Sequence, residues 1–213
     1  MFNSFTVTGF IYTIIALLVS IIPHEIGHGY AAYLLGDDTA KTDGRLSLNP
    51  LNHIDPVGLL SMIVLKFGWA KAVPIDSSKF KGNRKLGTII VSLAGVFVNF
   101  VLAFLFAIPF AYAYMKGYKV AELFEDILWY NVMLGVFNLV PLPPLDGSKV
   151  IASLLPINLE YKFYKYEKYF YFILVILVFS GVINKFIAPI ILSIIHKVYL
   201  FGAFVVWKIM NIG

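Results

Sequence analysis

His24-Glu25-Ile26-Gly27-His28 stands inside an apolar stretch, residues 5–35, in which Glu25 is the sole formally charged side chain. On a helix, residues four apart share a face, so the two imidazoles are presented together with the Glu beside them. That spacing suits a Zn²⁺ ion, with the Glu as general base. A charged residue at the centre of a membrane helix costs roughly 2.5–3.5 kcal/mol, so Glu25 implies chemistry more than packing. The conjunction points to a hydrolase working within or beside a bilayer.

The rest of the composition agrees with a bilayer. Hydrophobic residues make up 60% of the chain and charged ones only 14%, against about a quarter charged in soluble domains. Mean hydropathy is +0.83. The chain's 213 residues leave room for about five or six segments of roughly 20 residues. Cysteine is absent, which excludes a disulfide framework, a thiolate metal site and a cysteine nucleophile. A metal must then be held by His, Asp or Glu. The net charge of +5 comes from Lys and Arg gathered in short connections, which implies membrane orientation and no nucleic-acid partner. No Lys or Arg precedes Lys41, so the amino-terminal stretch is expected to be a retained first transmembrane helix and not a cleaved signal.

Residues 5–35 would form a helix of about 45 Å, longer than a bilayer core of about 30 Å. His24 and His28 fall toward its far end. Pro23 can kink it, and Gly27 and Gly29 permit close neighbours. Residues 36–58 are polar and turn-rich, with Gly44, Asn49-Pro50 and Asp55-Pro56 marking turns around a short strand of Arg45, Leu46, Ser47 and Leu48. Residues 58–67 are apolar but too short to span, and 69–85 read as a basic loop. A long spanning helix is expected over 86–115 and a shorter one over 127–140, ended by Pro141, Pro143 and Pro144. A linker over 148–168 leads to apolar segments at 170–182 and 187–207. The expected fold is an all-α polytopic membrane protein of five or six transmembrane helices, with a short β-hairpin or re-entrant segment after the first. One domain covers 1–213, with a catalytic core over about 5–150 and carboxyl-terminal helices over about 169–208 that gate it.

The positive-inside rule orients this chain in the cell membrane as a multi-pass protein. Lys66, Lys71, Lys79, Lys81, Arg84 and Lys85, with Lys149, Lys162, Lys165 and Lys168, face the cytosol. Glu122, Glu125 and Asp126 face outward. His24 and His28 then lie toward the cytosolic side, at the depth of Asp146.

Two histidines leave a hydrolytic zinc site incomplete, because such a site takes three protein ligands and keeps one position for water. The candidates for the third are Asp146, His53, Asp55, Asp43 and His196. Depth and the proline-stiffened break before it, with Gly147 allowing a turn, favour Asp146. His53 is a fourth metal contact, an auxiliary acid or, the reading preferred here, a hydrogen-bonding support of its loop. His196, in the last segment, reads as a packing or interfacial residue.

HEIGHGYAAYLLGD, DGRLSLNPLNHIDPVG, SLAGVFVNF and NLVPLPPLDG occur in this order. Together they resemble the motifs of the site-2 protease family of intramembrane zinc metalloproteases in its compact prokaryotic form, over residues 20–150. The resemblance implies one zinc per chain on His24, His28 and Asp146, with Glu25 as the base. It implies hydrolysis of a peptide bond within or next to a transmembrane segment, with a transmembrane protein or peptide as partner. One departure is Val96, where the family usually has proline, while Ala94, Gly95 and Asn99 keep the rest of that motif.

A substrate helix must unwind before attack, and the strand Arg45, Leu46, Ser47, Leu48 could pair with it by strand addition. Asn99 and Asn138 could hold substrate backbone, although a buried Asn more often bonds its own protein. Two other functions compete. A metal-ion transporter would spread liganding groups along a path across the bilayer, and a non-catalytic binder of transmembrane segments would need no filled catalytic positions.

Overall fold

The computed structural model describes residues 6–53, 55 and 71–212. Helix α1 is Val7–Leu34, started by Thr6, whose side chain accepts the Gly9 N–H at 3.0 Å. This is the capping bond that an exposed helix start needs. Pro23 lies within α1 and removes the backbone bond to Val19 just before His24. Along one ridge Ala16, Ser20, His24, His28 and Ala32 are all buried. Helix α2, Arg84–Met115, repeats the pattern with Val91, Gly95, Asn99, Ala103, Ala107 and Ala111. Its start is capped by the Asn83 side chain, which accepts the Leu86 N–H. Small residues at a four-residue spacing let two such ridges interlock at short range, and α1 packs on α2 in this way.

Gly117, at φ +68°, turns the chain from α2 into α3, Ala121–Asn138. Helix α3 packs against both α1 and α2. After the proline-rich break come α4, Asp146–Leu154, α5, Ile157–Lys165, and α6, Glu167–Phe179. Helix α7, Val182–Ile212, lays Ile191, Ile195 and Val198 against Ala103, Ala107, Leu128, Val132 and Val136. This apolar core lies where α2, α3 and α7 meet.

Among the described residues, three helices are long and apolar enough to cross a membrane: Val7–Leu34, Arg84–Met115 and Lys185–Asn211. Their outward faces carry Phe10, Ile11, Ile90, Phe97, Leu105, Phe204 and Trp207, all exposed, an apolar coat that water would disfavour and lipid would not. The secondary structure among the described residues is all helical, and the three apolar helices make this a membrane protein. Five or six spans are not reached by this measure. The 18 residues of α3 include Glu122, Glu125 and Asp126, and α6 has only 13, short of the ~20 that a span needs.

No strand occurs among the described residues. The polar stretch after α1 is built from a helical turn at Thr39–Thr42 and a 3₁₀ turn at Pro50–Asn52, with an irregular run at 45–48 between them. The apolar segment expected at 58–67 lies outside the described residues. The linker expected over 148–168 contains α4 and α5, whose short polar-faced turns resemble a linker in composition.

Candidate metal centre

His24 and His28 lie one turn apart on α1, and Asp146 opens α4 after the break that ends α3. Asp146 Oδ2 is 3.2 Å from His24 Nε2 and 3.0 Å from His28 Nε2, and the two Nε2 atoms are 3.0 Å apart. All three side chains are buried. Among the described residues this is the group of three side chains able to hold a metal ion together.

The surrounding hydrogen bonds set the tautomers. His28 Nδ1 is 2.7 Å from the Val91 carbonyl, which can only accept, so Nδ1 carries the proton. Asn99 Nδ2 donates to the Ser20 carbonyl and to Asn131 Oδ1, each at 2.9 Å. Its Oδ1 therefore faces His24 Nδ1, at 2.7 Å, and His24 Nδ1 also donates. Asn131 is fixed in turn, because its Nδ2 donates to the Ile127 carbonyl and to Ser20 Oγ, both at 2.8 Å. With both imidazoles neutral, two Nε2 lone pairs and a carboxylate oxygen converge within about 3 Å without a proton between them. A cation relieves that repulsion. The separations approach the ~3.3 Å edge of a tetrahedron with bonds of about 2.0 Å, so the donor set fits zinc.

Two glycines make the approach of these elements feasible. A Cβ on Gly95 would stand 2.5 Å from His28 Nε2 and 2.8 Å from His24 Cε1. Gly95 thus forms the floor of the centre. A Cβ on Gly147 would overlap the Leu139 carbonyl oxygen. Gly147 sits inside α4 and is not among the glycines at positive φ. It serves close packing of α4 on the end of α3, not the turn expected from sequence.

Glu25 is half-buried, and its Oε2 accepts the Val73 N–H at 2.9 Å. Val73 belongs to a segment without helix or strand, residues 71–76, that lies along the end of α1. This strap is tied down at several points. The Lys71 N–H donates to the His53 carbonyl at 2.9 Å, and Arg45 Nη2 donates to the Lys71 carbonyl. The Asp76 N–H donates to the buried Asp37 Oδ2 at 2.7 Å.

The other sequence candidates are distributed as follows. Asn99, fully buried, serves His24. Asn138 Nδ2 donates to the Leu134 carbonyl one turn back. Arg45 is buried against the strap, and Leu46 packs at Gly29. The Ser47 carbonyl accepts from His53 Nε2 at 2.7 Å, whereas Leu48 is 74% exposed. His53 therefore supports its loop. Asp43 ends the turn Thr39–Thr42, His196 is exposed on α7, and neither they nor Asp55 join the metal-capable group. Sequence reading missed Asn131, Ser20 and the Val73 N–H.

The sequence profile of peptidase family M50 matches residues 12–126 and again 114–181. The chain belongs to peptidase family M50. A candidate zinc metalloprotease of Bacillus subtilis (strain 168), YwhC, is 36% identical over 95% of this chain and 87% of its own. Rip2 of Mycolicibacterium smegmatis, described in the same terms, is 29% identical over 83% of this chain and 70% of its own. The zinc metalloprotease MJ0392 of Methanocaldococcus jannaschii is 29% identical over 66% of this chain and 33% of its own. No solved structure matches the chain. The M50 assignment agrees with the site-2 protease resemblance, and this M50 chain is a zinc metalloprotease.

Proposed function

We propose that this M50 chain is an intramembrane endopeptidase that hydrolyses a peptide bond within or next to a transmembrane segment of another protein. The observation that carries the reading is the burial of His24, His28 and Asp146 around one point on a helix long enough to cross a bilayer. His24, His28 and Asp146 would hold the zinc, which when bound supplies an acidified water, of pKa about 7, and a Lewis acid for the scissile carbonyl. Glu25, next to His24, takes the proton from the attacking water and returns it to the leaving amine. The Val73 N–H engages Oε2 of Glu25 and leaves Oε1 for that proton. Asn99 and the Val91 carbonyl keep the two imidazoles in the tautomer that turns Nε2 inward.

The basic groups support a site on the cytosolic side. Arg84 and Lys85, at the start of α2, both pair with Glu160 of α5, each at 3.2 Å. They are thereby brought to the α4–α5 region, which carries Lys149, Lys162 and Lys165. Glu122, Glu125 and Asp126 sit at the opposite end of α3 from the break that leads to Asp146. Substrate would reach the centre beside the loop that exposes Leu48, and past α6, where Leu174 is the buried residue. Helix α7 is packed into the core through Ile191, Ile195 and Val198, so α6 is the carboxyl-terminal helix proposed to gate access.

The test is cleavage of transmembrane peptides by the purified protein in detergent or bilayer discs, with and without a zinc chelator. Chelator-sensitive cutting inside or beside the apolar segment is expected. A protein that carries one zinc and cuts none of a broad panel would instead be a binder of such segments.

A further inference from the structure

Asp146 has two carboxylate oxygens, and they face different partners. Oδ2 faces both imidazole Nε2 atoms, while Oδ1 lies 3.1 Å from Lys149 Nζ. Lys149 is one helical turn further along α4, at the i,i+3 spacing that brings side chains together on one face. Asp146 is buried, whereas the Lys149 side chain is 44% exposed. An ion pair with such an exposed partner contributes little to stability. Its effect on the orientation of a buried carboxylate is another matter, since a charged hydrogen bond to one oxygen opposes rotation of the group.

We infer that Lys149 is a positioning residue that holds Asp146 as a one-oxygen ligand, occupying Oδ1 so that only Oδ2 reaches the metal. The inference rests on the metal reading of the centre. A carboxylate released from Lys149 can turn both oxygens toward the ion and fill the position that a reacting water requires. Because Lys149 stands on the same helix as the ligand, the constraint is set as soon as α4 forms.

The test uses the full chain in detergent, as wild type, Lys149→Met, Lys149→Gln and Lys149→Arg. Zinc affinity is measured by chelator competition, and the coordination number is read from the visible absorption of the cobalt(II)-loaded proteins. Expected is uptake of one metal with roughly 10- to 100-fold weaker binding in the Met and Gln variants. Their cobalt bands should weaken as the coordination number rises, Lys149→Arg should restore the wild-type spectrum, and thermal stability should change little. Wild-type affinity and an unchanged spectrum in both Met and Gln variants would overturn the inference while leaving the metal centre intact. A wild-type protein that takes up no metal at all would overturn both.

Discussion

Asn99 Oδ1 lies 2.7 Å from His24 Nδ1, and the same side chain donates to Ser20 of α1 and Asn131 of α3. One amide therefore sets the tautomer of a proposed zinc ligand and joins three helices. Asn99→Ala removes the acceptor of His24 and leaves Asn131 Oδ1 and the Ser20 carbonyl without that donor. We expect zinc binding to weaken roughly 10- to 100-fold and stability to fall by about 1–3 kcal/mol. Chelator competition and thermal unfolding in detergent measure the two effects separately. Wild-type zinc affinity in a destabilised Asn99→Ala would mean that Asn99 is an interhelix tie with no part in orienting His24.

Gly95 supplies the floor on which both imidazoles rest. Gly95→Ala places a methyl 2.5 Å from the His28 ring nitrogen, so either the imidazoles or the ridge-packed helices must shift. Overpacking of this kind costs about 1–3 kcal/mol. The expected outcome is a folded protein whose zinc content and cleavage are both lost. Metal analysis of the purified variant decides it, and full zinc occupancy would show that the helices can separate without opening the centre.

The three side chains that could hold a metal, His24, His28 and Asp146, could be picked out in sequence because each rests on local pattern. His24 and His28 share a face by spacing alone, and Asp146 follows a break that three prolines announce. The long helices were legible too, since α1 and α2 are unbroken apolar runs. What surrounds these three side chains was harder to read. Ser20, Asn99 and Asn131 come from three helices, and only their packing reveals that every donor meets an acceptor. The Val73 N–H carries no side-chain signal at all. Asn99 and Arg45 had polar atoms that sequence reading offered to a substrate, but burial turned both toward their own chain. Helices α4 and α5 passed for a linker because short helices with Gly, Ser and Lys have no long apolar stripe.

Asp37, just beyond α1, anchors the strap that reaches Glu25. Burial pushes its carboxyl up, but the Thr39 hydroxyl and the backbone N–H groups of Asp76 and Thr39, with Lys79 nearby, overcome this and hold it below the usual carboxylate range. A depressed folded-state pKa gives stability that is complete above the unfolded value of about 3.9 and is lost as pH falls through the folded value. Asp37→Asn should therefore be less stable than wild type near neutral pH, by about 2 kcal/mol, and the gap should close in acid below about pH 3. Unfolding temperatures of the pair across that range are the measurement. A gap that widens in acid would reverse the sign and exclude the carboxylate as the anchor.

Glu25 stands one residue from a proposed ligand yet does not belong to the converging triad, for its Oε2 accepts the Val73 N–H at 2.9 Å. Position and partner both suit a group that handles a proton beside the metal without binding it. Glu25→Gln keeps the size of the side chain and a carbonyl oxygen for the Val73 N–H but cannot take a proton from water. Zinc should stay at one per chain with its affinity little changed, while cleavage falls by roughly 10²- to 10⁴-fold, the range for loss of a general base. Glu25→Asp, which keeps the carboxylate but shortens its reach, should retain more activity than Glu25→Gln. Single-turnover cleavage of a transmembrane peptide, run beside metal analysis, separates the cases. Cleavage preserved in the Gln variant would remove Glu25 from the proton path, and zinc lost from it would make Glu25 a ligand after all.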